Sequence, residues 1–378
     1  MLTQIKLSGF RSFKEETVFD IYATNYKMLQ DVNVKDGILK GLLFIGGNAS
    51  GKTNSIRAIT FLLEMLFKET SIDAAVNSCL FSLGSMKLEY HFSFDETKIV
   101  YSFEMDKKGV ILKEDLLLNG ECFLRRIGKS ATTLLSETQN HNDIDETTLF
   151  LRSMYFSTKF ASVPCLARWM KYLSNSVVFN AAEKKVITFE ASNKLVISNY
   201  IETNGVEEIN NFFNYFGFNQ EIAYETKHRL SEFAVADTKS EKYIYLKRNN
   251  LDYWMPMALE SLGNQTLLNM LPALLHVVST ECMFIVDEFS SAFHNELEEL
   301  IIRYFMENAE RSQIFFVSHS TNLLKSTLLR PDQIYTIDFS HACGSTIKKF
   351  SSVHPRESQN FEKIYLSGMV GGVPNYRG

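Results

Sequence analysis

The chain has few cysteines, and none lies in a pattern that binds zinc or builds a disulfide framework. Only five of its 378 residues are cysteine, and they are far apart with no Cys-x-x-Cys pair. An odd number of isolated thiols excludes a disulfide scaffold and a structural zinc site. Free thiols are typical of a reducing compartment, so we expect a cytoplasmic protein.

Long apolar runs and an excess of positive charge are also missing. No apolar run approaches the ~20 residues that span a bilayer. The opening residues 1–10 lack the basic start and apolar core of a signal peptide, and we expect no membrane contact. The formal net charge is −5. This excludes a strongly basic nucleic-acid binder, although a balanced total leaves a local basic patch open.

The apolar residues that are present predict an α/β fold. Hydrophobic residues make up 45% of the chain, and its 30 phenylalanines supply a sizeable core. Residues 42–45, 283–286 and 314–317 are short continuous apolar runs, which are typical of strands buried on both faces of a parallel sheet. A helix with one apolar face is predicted from about Thr53. Residues 334–337 and 346–350 add two further predicted strands.

Alternating residues predict an antiparallel β-subdomain at 84–127. Apolar side chains alternate strictly through residues 86–94 and 99–105, and Asn119-Gly120 is a strong hairpin signal. The mostly polar residues 130–146 are predicted to be a loop.

The middle of the chain is predicted to be a helical insertion over residues 130–240, with helices near 166–173 and 206–216. Since sheet-forming segments lie at both ends of the chain, residues 1–83 and 245–378 are predicted to form one nucleotide-binding domain.

Residues 46–53 fit the phosphate-binding pattern G-x-x-x-x-G-K-[ST] at every fixed position. A chance glycine turn would not lie between a buried strand and an amphipathic helix, where backbone N–H groups and the helix dipole meet phosphates. Lys52 is expected to bridge the β- and γ-phosphates of ATP, and the Thr53 hydroxyl to bind Mg²⁺. The predicted nucleotide-binding residues of this segment are Gly46, Gly47, Asn48, Ala49, Ser50, Gly51, Lys52, Thr53 and Asn54.

Two more polar groups follow buried strands. Asp287 and Glu288 end the run 283–286, and His319 follows the run 314–317. An acidic pair at a strand end is common, but beside a P-loop Asp287 is expected to hold the Mg²⁺ shell and Glu288 to orient the attacking water. His319 is expected to contact the γ-phosphate.

Together these motifs resemble ABC-type ATPases of the SMC-like and OLD-like group. Residues 287–294 resemble their Walker B and D-loop segment, and residues 261–265 a degenerate form of their signature motif. His319 matches their switch histidine. Residues 10–13 resemble their N-terminal element, which implies that Arg11 contacts nucleotide.

The resemblance narrows to a bacterial family at residues 147–151 and from Tyr365 to Pro374. Members of that family are ATPase subunits of anti-phage and abortive-infection systems, such as PARIS, Septu and retron-associated ATPases. The resemblance implies an α/β P-loop NTPase fold of ABC type, with an antiparallel β-subdomain and a helical insertion. It also implies a head-to-tail dimer or higher homo-oligomer, in which Ser261 and Gly263 of one copy close over the γ-phosphate held by the other.

Three departures from the ABC pattern stand out. His294 occupies a D-loop position where many relatives have aspartate, and the signature lacks its double glycine. No glutamine lies between Gln30 and Gln139, where a Q-loop is expected.

The expected function is a MgATP-driven switch, sensor or scaffold that controls a separately encoded effector, a nuclease or toxin. Two alternatives stay open: an SMC-like repair or chromosome ATPase that acts directly on DNA, and a scaffold that binds ATP without turnover. The DNA-acting type calls for long coiled-coil heptads in the insertion, and the sequence has none.

Overall fold

The computed structural model of the protein describes residues 1–68, 77–79, 84–134, 137–190, 193–226, 242–248, 251–291 and 293–373. Ala292 and Pro374, which belong to predicted motifs, lie outside these residues. The helices of the described part are α1 Gln30–Asn33, α2 Lys52–Phe67, α3 Phe150–Thr158, α4 Pro164–Ser174, α5 Ile197–Asn204, α6 Glu207–Tyr215, α7 Leu262–Ser279, α8 Asn295–Asn308 and α9 Phe361–Leu366. The strands are β1 Leu2–Ser8, β2 Thr17–Asp20, β3 Val34–Lys35, β4 Ile38–Leu39, β5 Gly41–Gly46, β6 Ser85–Phe94, β7 Thr97–Asp106, β8 Ile111–Leu118, β9 Glu121–Ile127, β10 Ser130–Leu134, β11 Thr138–His141, β12 Val177–Asn180, β13 Lys185–Thr188, β14 Gln220–Thr226, β15 Lys242–Arg248, β16 Met255–Pro256, β17 Met283–Asp287, β18 Gln313–Val317, β19 Ile334–Ser340 and β20 Gly344–Lys349.

A seven-stranded sheet forms the centre of the fold, in the order β13-β12-β17-β18-β5-β19-β20. Its five inner strands are parallel, and an antiparallel strand closes each edge. Strands β5 and β18 are buried along their whole length, and β17 as far as Val286. The predicted buried strands are therefore confirmed, since continuous apolar runs suit strands that are covered on both faces.

Side chains of the central strands alternate between two hydrophobic cores. Leu42 and Phe44 of β5 enter the core that contains α2 and an antiparallel sheet, whereas Leu43 and Ile45 enter the core that contains α7 and α8. The central sheet is thus a middle layer with apolar contacts on both faces. Throughout the described part of the chain, no helix has both the length and the apolar character needed to cross a bilayer.

The second sheet is antiparallel and has the order β11-β10-β9-β8-β7-β6-β1-β2. It confirms the antiparallel strands predicted for residues 84–127, and it extends further in both directions. The loop predicted at 130–146 is wrong for β10 and β11. Ala131 and Thr133 of β10 are buried while their neighbours are exposed. Burial therefore alternates along the strand, but its residues are mostly small or polar, so the sequence shows little hydrophobic alternation.

The segment 130–240 was expected to be helical, but it also contains strands. The segment contains the predicted helices α4 and α6. Its strand β12, however, belongs to the central sheet, where it pairs in parallel with β17. Further on, β14 pairs with β15 in a separate three-stranded sheet. Strand β12 has only four residues, and so short an apolar run does not distinguish a strand from part of a helix. Residues 227–241 lie outside the described structure.

Candidate nucleotide-binding site

The predicted motifs meet at one edge of the central sheet. Strands β17, β18 and β5 are parallel neighbours, so their carboxyl ends lie side by side. Asp287 ends β17, His319 follows β18, and the P-loop follows β5. Ligands of open α/β sheets bind at this edge.

The P-loop is held in a conformation that only small residues permit. Gly51 has a φ of 106° and Ala49 a φ of 59°. A Cβ at Gly46 would overlap the Ile337 carbonyl, and one at Gly51 would overlap the Ser345 hydroxyl. Helix α2 begins directly afterwards at Lys52. The loop is therefore a backbone cradle at a helix N-terminus, which fits the phosphates of a nucleotide.

Hydrogen bonds of two serine hydroxyls connect the P-loop to neighbouring segments of the chain. Ser345 at the start of β20 donates a hydrogen bond to the Ser50 carbonyl at 2.6 Å, and its oxygen lies 2.7 Å from Ser12 Oγ. The Asn54 amide donates to Ser12 Oγ at 2.7 Å. The predicted nucleotide ligand Asn54 is thus engaged with the N-terminal element. Arg11 of that element lies beside Arg57 and Glu64 of α2, and burial lowers its pKa.

The Lys52 ammonium lies inside the cradle. It is buried and donates to the Gly47 carbonyl at 2.6 Å. Burial lowers the pKa of Lys52 to about 8, and the nearby Asp287 partly offsets this shift. Anionic phosphates favour the charged form of a lysine that is this poorly solvated, so the charged Lys52 should interact strongly with them.

This lowered pKa predicts that nucleotide binding at pH 8 is accompanied by the uptake of about half a proton at Lys52. The charged form is lost as the pH rises through 8, so affinity for ATP should fall between pH 7 and 9. Calorimetry in two buffers of different ionisation enthalpy measures the uptake. Lys52→Arg keeps a charge that does not titrate in this range, and it should bind without the uptake; equal uptake in this variant would contradict the assignment.

Thr53 and Asp287 form a pair of oxygen groups suited to Mg²⁺. The Thr53 hydroxyl donates to Asp287 Oδ1 at 3.2 Å. Burial raises the pKa of Asp287, the neighbouring Glu288 adds to the rise, and the Thr53 hydrogen bond opposes it. Carboxylate and hydroxyl oxygens are the ligands that Mg²⁺ prefers beside phosphates, so this pair fits the ion.

Glu288 and His319 lie next to that pair. Glu288 is exposed and has a φ of 53°, and Ser291 N and Oγ both donate to its carbonyl, at 3.0 and 2.7 Å. His319 N donates to Ser290 Oγ at 2.8 Å, which ties the β18 loop to the segment after Glu288. Burial lowers the pKa of His319, the Lys52 charge lowers it further, and Glu288 opposes both. In the nucleotide-free protein these effects together favour the neutral imidazole.

The signature lies at the same edge but apart from the P-loop. Ser261 caps α7, and its hydroxyl accepts from Asn264 N at 3.3 Å. Gly263 is in the first turn, and Leu262 is 72% exposed. The start of α7 is tied to the β12–β13 turn by a 2.9 Å hydrogen bond from Lys184 to Gln265. Strand β12 is three inter-strand spacings, about 14 Å, from β5.

The D-loop leads directly into α8. His294 precedes this helix and caps it, since its Nδ1 accepts from Glu296 N at 3.5 Å. The histidine in place of aspartate therefore has a structural role at the helix N-terminus.

Two residues near the site were not found from the sequence. Asn180 ends β12 opposite Asp287, and Ala181 N donates to the Asp287 carbonyl at 3.1 Å. Asn180 places an amide side chain at this edge of the sheet, and the apolar run before it was the available signal. Glu298 of α8 is fully buried beside Ser320, and burial raises its pKa to about 7. Glutamate side chains are almost always exposed unless they are paired, so the burial of Glu298 was not predictable from the sequence.

The sheet order, the P-loop and the acidic pair define the fold of an ABC-type ATPase head. Solved structures of SMC heads have this fold. The SMC head domain from Thermotoga maritima is 16% identical, covers 92% of this chain and 97% of its own, and superposes with a TM-score of 0.50. An SMC head bound to the C-winged helix domain of ScpA is 14% identical over 93% and 99% of the two chains, with a TM-score of 0.55.

A third similar structure is an SMC head with an extended coiled coil, bound to the C-terminal domain of ScpA, derived from Pyrococcus furiosus. It is 12% identical over 93% and 97% of the two chains, with a TM-score of 0.51. Residues 223–325 match the family described as "AAA domain, putative AbiEii toxin, Type IV TA system". This match includes Ser261, Glu288 and His319 but not the P-loop. No curated protein matches the chain.

Proposed function

We propose that the chain is a MgATP-dependent ATPase that works as a head-to-tail dimer. The observation that carries this proposal is the convergence of Lys52, Asp287 and His319 at the carboxyl ends of three adjacent strands. An acidic pair or a glycine turn alone would be ordinary surface features. Their convergence beside a helix N-terminus supplies a phosphate cradle, a cation site and a place for water within one edge of the sheet.

Each residue has a distinct task in this proposal. The backbone of residues 46–51 and the Lys52 ammonium bind the phosphates, for which Lys52 exchanges its bond to the Gly47 carbonyl. Thr53 and Asp287 hold Mg²⁺, which neutralises phosphate charge when bound. The exposed Glu288 carboxylate orients and polarises the attacking water. The His319 imidazole donates a hydrogen bond to the terminal phosphate, where charge develops.

The exposed signature is the reason to propose a dimer. Leu262 is 72% exposed, and the first turn of α7 is tied to the β12–β13 turn through Lys184 and Gln265, so we infer that within one copy the signature does not close over the P-loop. A second copy in head-to-tail orientation would bring the N-terminus of its α7 to the terminal phosphate. ATP would then join the two copies, and hydrolysis would release them.

We further propose that this cycle regulates a separately encoded effector, such as a nuclease or toxin, in anti-phage defence. The support is the sequence resemblance and the family match to a toxin–antitoxin AAA domain. Hydrolysis can bias an effector only through contacts that differ between open and closed forms. Co-purification with the product of the neighbouring gene, with and without ATP, tests this role. We expect retention to depend on nucleotide, and no retention in either state would contradict it.

The SMC-like alternative is a head that acts directly on DNA, and the similarity to SMC heads favours it equally. It predicts DNA binding by the isolated chain that falls steeply with salt, because counterions are released from phosphates. Two of the similar heads are bound to ScpA domains. A protein partner is therefore compatible with either role, and the salt dependence of DNA binding separates them.

A further inference from the structure

A cleft of about 730 Å³ lies between α5, α6 and the carboxyl-terminal halves of α7 and α8. Three tyrosines from three different helices line one end of it: Tyr200, Tyr215 and Tyr304. The rings of Tyr215 and Tyr304 have centroids 6.5 Å apart, and Phe212 packs against Tyr304 at 5.1 Å. Tyr215 is 68% exposed. Tyr200 is buried and Tyr304 is half-buried against the second core, so this end is an aromatic surface that opens to solvent at Tyr215.

A carboxylate completes the aromatic end. Glu208 accepts a hydrogen bond from the Tyr200 hydroxyl. Burial raises the pKa of Tyr304, and the charge of Glu208 adds to the rise. Glu208 is the carboxylate whose charge acts on the phenols of both Tyr200 and Tyr304. Lys194 and His276 line a different part, where the cleft continues towards Ser174 and Glu190. The aromatic end thus carries the negative charge of Glu208 beside its rings.

Aromatic faces around a carboxylate attract an organic cation, and a guanidinium suits them best. It is planar, stacks on rings and forms paired hydrogen bonds with a carboxylate. We propose that this end of the cleft receives an arginine side chain of a partner protein. Tyrosine and arginine are the residues enriched at the energetic centres of protein interfaces. The exposed Tyr215 ring provides such an anchor on the surface.

The position of the cleft connects it to the ATP site, and this step rests on the proposed function. Helix α7 begins at the signature cap Ser261, and α8 begins after His294 of the D-loop. The cleft contacts the opposite ends of the same two helices, at His276 and Tyr304. Closure of the composite site that tilts α7 or α8 would change the width of the cleft. An arginine bound there would therefore favour one nucleotide state over the other.

The binding step is tested with N-acetyl-arginine amide as the probe and its neutral citrulline counterpart as the control, by NMR titration of the nucleotide-free protein. We expect saturable binding of the arginine probe and none of the citrulline probe. Glu208→Gln should weaken binding about tenfold. Glu207→Gln is the matched control, because Glu207 is on the same turn but outside the cleft lining, and it should bind as the wild type does.

Three results would overturn the proposal: no saturable binding, equal binding by Glu208→Gln and the wild type, or free arginine binding at least tenfold more tightly than the blocked probe. The last result would assign the cleft to a small molecule.

Repeating the titration with MgATP tests the coupling, which should change the probe affinity by about fivefold or more. An unchanged affinity with ATP demonstrably bound would overturn the coupling alone. Loss of ATP binding in calorimetry would instead contradict the proposed function, since the arginine site is measured without nucleotide.

Discussion

Replacing Glu288 with glutamine should slow ATP hydrolysis about 100-fold or more, because a positioned general base contributes on that scale. Binding of MgATP should persist, since Lys52, Thr53 and Asp287 are unchanged. The variant should therefore accumulate as an ATP-bound dimer. Phosphate release under steady-state conditions measures the first effect, and gel filtration with MgATP measures the second.

The matched control for this experiment is Glu296→Gln. Glu296 is exposed in the first turn of α8, and only its backbone N–H bonds to the His294 cap. The substitution removes the same charge close to the same edge, and turnover should stay near the wild-type rate. Wild-type turnover in Glu288→Gln would mean that another group activates the water.

Replacing Lys52 with alanine should weaken MgATP binding about 100-fold or more. Charge-assisted hydrogen bonds contribute about 1.5–3 kcal/mol each, and losing contacts to two phosphates corresponds to at least that factor. Calorimetry measures the affinity. Lys68→Ala, at the far end of α2, is the control and should bind ATP normally. Unchanged affinity in Lys52→Ala, with an intact thermal unfolding transition, would refute the P-loop assignment.

The sequence predicted where the residues of the candidate site lie when chemistry and periodicity coincide. The P-loop lies between a fully buried strand and a long helix, so residue types, spacing and context all indicated the same element. The acidic pair and His319 were found because each follows an apolar run, and strand ends of a parallel sheet meet at one edge. These local signals needed no knowledge of the distant parts of the chain.

The remaining features depend on contacts that no local window contains. Strand β10 has small polar residues, and only its pairing with β9 and β11 makes it a strand. Asn180 became part of the site because β12 pairs with β17, across more than 100 residues of sequence. The cleft at Tyr304 combines side chains from four helices, and its ring geometry exists only after α6 and α8 have packed together.

The central claim is that ATP is hydrolysed at sites built from two copies of the chain, and mixing two inactive variants tests it most directly. Ser261→Arg should block closure by its bulk, while each P-loop still binds nucleotide. Lys52→Ala should leave the signature intact but lose the cradle. A heterodimer of the two carries one site with both defects and one site with neither.

We expect neither variant alone to hydrolyse ATP, and the mixture to recover part of the wild-type activity. Steady-state phosphate release from the mixture, at equal concentrations of the two proteins, is the measurement. Heterodimer formation is followed with two distinguishable affinity tags. A mixture that stays inactive while heterodimers form would contradict the composite site.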